Sequence, residues 1–177
     1  GQWSDFVDHL KKPESEVNIG LVGKYIELKD SYKSIVESFI HAGASNNCKV
    51  KLKWIHSEEI SEDSIEGEFS GLDGLLVAPG FGKRGIEGKI LTAKYARENK
   101  IPYLGICLGM QCAVIEFARN VLGLEGANST EVDPKTPFPV IDLMEDQKNV
   151  KEMGGTMRLG AYSCRLNHSS KAFIVYG

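Results

Sequence analysis

Ile101-Pro102-Tyr103-Leu104-Gly105-Ile106-Cys107-Leu108-Gly109-Met110-Gln111 decides the fold: a short apolar strand runs into an apolar-striped helix at a cysteine flanked by glycines. Past that point Met110, Ala113, Val114, Phe117, Ala118, Val121 and Leu122 recur at steps of three and four and predict one buried helix face. The spacing puts Cys107 at the helix start, where unpaired backbone N–H groups and the positive end of the helix dipole favour a thiolate over a thiol. Gly105 and Gly109 stand two residues either side, as a sharp strand-to-helix turn without room for side chains requires. A cysteine in apolar surroundings is ordinarily a small core residue. Cys112, inside the helix, reads that way, and Cys48 and Cys164 have no local chemical partner. At Cys107 the strand, the paired glycines and the helix start together predict a nucleophile, because the elbow carries backbone strain that packing alone does not need.

Outward from the elbow, the pattern is that of an open parallel sheet. Trp3, Phe6, Val7 and Leu10 are spaced as a short helix, and Lys11-Lys12-Pro13-Glu14-Ser15 reads as a linker, so residues 1–16 are expected to lead into a domain spanning 17–177. Val17 to Gly23 reads as a buried strand, and Asp30 is placed to cap a helix striped by Tyr32, Ile35, Val36, Phe39 and Ile40. Val50 to Ile55 alternates as a second strand, Leu72 to Pro79 is an apolar third one running into Gly80-Phe81-Gly82, and a helix from Ile86 to Asn99 returns to the elbow strand. Strands separated by helices predict a parallel α/β sheet with its ligand site beyond the strand C-termini, where the Gly80 loop and Cys107 both fall. After Gly123, Ala127 to Glu131 reads as a turn region, and Phe138 to Leu143 and Gly154 to Gly160 as later strands. The acidic run Ser57 to Asp63 reads as a solvated connection.

The chain has 177 residues, 42% hydrophobic and 25% charged, which suits a domain with a substantial core. A formal net charge of -3 argues against a general nucleic-acid surface. Apolar runs are too short to cross a bilayer, and no signal or lipidation motif begins the chain, so a cytoplasmic protein is expected. Four cysteines without a C-x-x-C pair predict neither a zinc site nor a disulfide framework, and no metal is expected.

A thiolate attacking an amide carbon needs donors for the developing oxyanion. The Leu108 N–H is one, and the Gly80 loop, ending the neighbouring strand, is positioned to supply another. The general base such chemistry needs is ordinarily a histidine. His9, His41 and His56 do not fall at a strand end near Cys107, and His168 in Leu166-Asn167-His168-Ser169-Ser170 reads as a polar turn residue.

These residues resemble the class I glutamine amidotransferases, whose elbow reads G-x-C-x-G as in Gly105 to Gly109, and within them the glutaminase domains of the CTP synthase family. Leu21 to Tyr25 with Asp30 to Ser34, Arg84 to Lys89, Ala113 to Gly123, Ala127 to Glu131 and Gly154 to Gly160 carry the finer likeness, over about nine-tenths of the chain. The resemblance implies a flavodoxin-like fold whose C-terminal part is incomplete here. It implies Cys107 as the nucleophile forming a glutamyl thioester, and Gly80 and Leu108 as oxyanion and glutamine-binding backbone. Gly109, Met110 and Gln111 would continue the pocket, Glu131 would hold the glutamine ammonium, and Arg158 would belong to a lid linked to activation by GTP.

The resemblance also implies a synthetase domain on the same polypeptide, using ATP and Mg²⁺ to aminate UTP, and a homo-oligomer, a tetramer in the full enzyme. Two departures stand out. The loop reads Ala78-Pro79-Gly80-Phe81-Gly82 where the commoner form has proline then two glycines before the phenylalanine, a shift expected to matter little because Gly80 is kept. The residues stop at Tyr176-Gly177, ahead of the family's catalytic histidine and glutamate. A non-catalytic regulatory or assembly module of the same fold is therefore an alternative, and a thiol hydrolase or stress-response protein with a similar elbow is another.

Overall fold

The computed structural model describes residues 1–144, 161 and 163–176. Residues Gly1–Leu143 form one compact unit and Met144–Gly177 a second. In the first, α1 (Gln2–Lys11) precedes β1 (Ser15–Gly23), α2 (Lys33–Ser45), β2 (Cys48–His56), α3 (Ile65–Phe69), β3 (Gly74–Val77), α4 (Ile86–Glu98), β4 (Tyr103–Gly105), α5 (Leu108–Asn120), β5 (Asn128–Ser129) and β6 (Pro139–Ile141). The second contains α6 (Lys171–Tyr176), preceded by a turn in which the Asn167 side chain accepts the Ser169 N–H and the His168 ring packs on Phe173.

Four parallel strands make the main sheet in the order β2-β1-β3-β4, with Leu21 of β1 facing Trp54 on one side and Leu76 on the other. β1 and β3 are central, and their apolar runs show it: Leu21, Val22, Leu75, Leu76, Val77 and Ala78 are buried. Because all four strands point the same way, Gly23, His56, Val77 and Gly105 end on one edge of the sheet, and the segments that follow them share that edge. Helix α1 lies against α2, with Phe6 meeting His41 edge to face and His9 Nδ1 within 2.8 Å of the Ala44 carbonyl oxygen.

Three expectations change. Asp30 does not cap α2. It lies in a 3-10 turn, Lys29–Tyr32, and α2 starts from Tyr32, whose hydroxyl accepts the N–H groups of Lys24 and Tyr25. Most of the stripe expected to bury α5 instead faces outward: Met110, Val114, Phe117, Val121 and Leu122 are exposed and Ala113 is half-buried, and of the expected positions only Ala118 is buried, on a face it shares with Leu108, Cys112 and Ile115. Helix α5 is apolar on both faces, and it turns Leu108, Cys112 and Ile115 towards Ile86 and Ile90 of α4. In the acidic connection, Ser57 and Ile60 are buried and Glu58 pairs with Arg84, so only part of the run is solvated. The strand expected at Phe138 to Leu143 is the short β6, paired with β5. The expected strand from Gly154 to Gly160 lies outside the described residues.

Candidate active site

Cys107 is the N-cap of α5, exposed, with φ of 53° and ψ of -109°. A non-glycine residue at positive φ is strained and persists only where its surroundings impose it. Here they do. The Ile106 N–H donates to the Val77 carbonyl at 3.0 Å, the Gly109 N–H to Ile106 at 2.9 Å and the Gln111 N–H to Cys107 at 3.2 Å, while the Tyr103 hydroxyl donates to the Gly109 carbonyl at 2.7 Å. Cβ atoms on either elbow glycine would overlap backbone: at Gly105 they would meet Gly109, and at Gly109 the Val77 carbonyl of β3. The Tyr103 hydroxyl titrates well above the usual tyrosine range because it is buried. It therefore stays a donor to the elbow.

Facing the elbow is the segment Ala78 to Gly82 that leaves β3. A Cβ on Gly80 would stand 3.7 Å from Leu108 Cδ2 and 3.6 Å from Lys89 Nζ, so the loop and the elbow residue after Cys107 are neighbours. These are ordinary van der Waals distances, and packing within the chain does not itself demand a glycine at Gly80. Three side chains hold the loop. Lys89 Nζ donates to the Ala78 carbonyl at 2.9 Å, Lys24 Nζ to the Phe81 carbonyl at 3.2 Å, and Glu131 Oε1 accepts the Gly82 N–H at 3.0 Å. Gly82 itself has φ of 79°. The site thus gathers the ends of β1, β3 and β4 with the turn after β5, and it sets two cations and a carboxylate on the loop that faces the elbow of Cys107. Such an arrangement suits nucleophilic attack on a carbonyl carbon, with backbone N–H groups near the oxygen that gains charge.

Of the residues singled out from the sequence, Gly80, Cys107, Leu108 and Glu131 come together around the Ala78 to Gly82 loop and the elbow. Gly109 is buried beneath the elbow against β3, Met110 is exposed, and Gln111 is half-buried one turn into α5. Arg158 lies outside the described residues. His56 ends β2, at the opposite side of the sheet from β4, and His9 and His41 serve the α1–α2 contact. Cys112 is fully buried, and burial pushes its thiol up to about 12, so it is a core residue. Lys24 and Lys89 were not singled out from the sequence. For Lys89 a signal existed: it stands among Ile86, Ile90, Ala93 and Ala96 on the buried face of α4. Among the described residues, no helix is long and apolar enough to cross a membrane.

Residues 27–176 match the family described as glutamine amidotransferase class-I. The chain is similar to CTP synthase of Cytophaga hutchinsonii, 63% identical over 99% of this chain and 32% of the relative. It is also similar to CTP synthase of Clostridium acetobutylicum, 58% identical over 99% of this chain and 33% of the relative. To CTP synthase of Methanocaldococcus jannaschii it is 58% identical over 99% of this chain and 34% of the relative. The chain therefore spans about a third of the length of these relatives. A solved structure, the Trypanosoma brucei CTPS glutaminase domain with bound acivicin, superposes with a TM-score of 0.70 at 39% identity, covering 75% of this chain and 52% of that one.

Proposed function

The chain belongs to the class-I glutamine amidotransferase family, and from that premise we propose that it is the glutaminase part of a CTP synthase, releasing ammonia from glutamine through a thioester on Cys107. The observation that carries the reading is the strained, exposed Cys107 at the start of α5, with the Leu108 side chain beside the Gly80 loop. The Cys107 sulfur attacks the side-chain amide carbon of glutamine. A C–S bond forms and the amide oxygen gains charge between the N–H groups of Leu108 and Gly80. Collapse breaks the C–N bond, the nitrogen takes the proton given up by the Cys107 thiol and leaves as ammonia, and water then cleaves the C–S bond, giving glutamate and returning a proton to the Cys107 sulfur.

Glu131, already at the loop through Gly82, presents a carboxylate to the substrate's ammonium, and Gly109, Met110 and Gln111 extend the glutamine pocket. For Arg158, outside the described residues, we propose a part in activation of the reaction by GTP. ATP and Mg²⁺ belong to the synthetase domain that aminates UTP, reached through residues 1–16 and facing the strand C-terminal edge. The complete enzyme is a cytoplasmic homo-oligomer, a tetramer. A non-catalytic module is the weaker reading, because the elbow is built with its strain intact and the similar proteins named above are enzymes.

Cys107→Ala in the full-length enzyme tests this. Glutamine-driven CTP formation is expected to fall below detection while CTP formation from added ammonia continues. Retained glutamine-driven synthesis would overturn the nucleophile, and loss of both activities would overturn the division of labour.

A further inference from the structure

Two charged side chains are buried among the described residues, and they are treated differently. Glu116 receives a forked pair of hydrogen bonds from Arg97. Lys89, 1% exposed, has no carboxylate in an ion pair with it among the described residues; its ammonium donates to the Ala78 carbonyl and stands beside Gly80. Removing an ammonium from water without an opposing charge is costly, and burial duly pulls the Lys89 pKa below the ordinary lysine value. A methionine or leucine would fill the same place in the α4 stripe without that cost.

The ammonium is held where it has two consequences for the loop. It fixes the Ala78 carbonyl at the point where β3 ends, immediately ahead of the Pro79–Gly80 peptide that supplies the Gly80 N–H. It also sets a positive charge beside Gly80, 3.6 Å from where a Cβ on that residue would stand. Building on the proposed glutaminase reading, we propose that Lys89 is a positioning residue of the reaction, which aims the Gly80 N–H by anchoring the Ala78 carbonyl and favours the oxyanion through its positive charge beside Gly80. Its contribution grows as charge develops on the amide oxygen, so its loss acts on kcat and leaves glutamine binding nearly alone.

The test uses Lys89→Met and Lys89→Arg in the full-length enzyme, with CTP formation from glutamine and from added ammonia measured side by side. Lys89→Met is expected to lower the glutamine kcat tenfold or more with KM within about twofold and the ammonia-driven rate unchanged, and Lys89→Arg to recover much of the loss. A glutamine kcat for Lys89→Met equal to that of the unsubstituted enzyme, or a loss confined to KM, would overturn the proposal. Should Lys89→Met fail to fold, Lys89→Leu, uncharged and unable to donate, carries the same two outcomes. Failure of the underlying glutaminase reading is told apart by Cys107→Ala, which would then leave glutamine-driven synthesis intact.

Discussion

Gly105 and Gly109 face each other across the elbow with no space for a methyl group between them, because a Cβ on Gly105 would overlap the backbone of Gly109 and Met110. Gly80, by contrast, has room for one. Gly105→Ala is therefore expected to destabilise the fold by about 1–3 kcal/mol, the usual cost of overpacking, as read by the urea midpoint. Gly80→Ala should keep the midpoint unchanged while reducing glutamine turnover at least tenfold, since its methyl group would occupy space on the loop facing Leu108. Equal midpoints for both variants would show that the elbow relaxes around a side chain.

Glu131 accepts the Gly82 N–H through one oxygen, a bond that a glutamine side chain can reproduce through its carbonyl. Glu131→Gln is expected to leave the loop in place and to raise KM for glutamine about tenfold to a hundredfold, the range for losing a charged hydrogen-bond partner. Steady-state glutamine kinetics at fixed nucleotide check it, and an unchanged KM would place the substrate ammonium elsewhere.

The buried Cys112 thiol, pushed up to about 12, gives a pH dependence with a definite sign. The unfolded chain loses this proton near an ordinary thiol pKa and the folded chain only near 12. Between those values the folded state binds more protons, so this contribution to stability is present below the lower value and is lost as pH rises towards the upper one. Unfolding free energies measured from pH 8 to 11 should fall more steeply for the unsubstituted chain than for Cys112→Ala. Parallel curves would show that Cys112 ionises without unfolding.

The elbow was legible in the sequence because its signals are local: a strand, two glycines and a change of period within eleven consecutive residues, Ile101 to Gln111. The buried face of α5 was not. Its sequence supports two apolar stripes, Met110-Val114-Phe117-Val121 and Leu108-Cys112-Ile115-Ala118, and the choice between them is made by Ile86 and Ile90, far away in the chain. The clamp on the Gly80 loop was equally hidden, since Lys24 and Lys89 bind main-chain carbonyl oxygens, and the sequence does not mark which carbonyls need a partner. Glu131 came from the family resemblance; its bond to Gly82 N–H comes only from the folded structure.

That bond has a consequence for how the protein is made. Chains leave the ribosome from the N-terminus onward, so the thiol of Cys107 emerges before the carboxylate of Glu131 that fastens the loop opposite it. A nascent chain thus passes through an interval in which the elbow and the Gly80 loop have been synthesised and the Gly82 N–H still lacks its carboxylate partner.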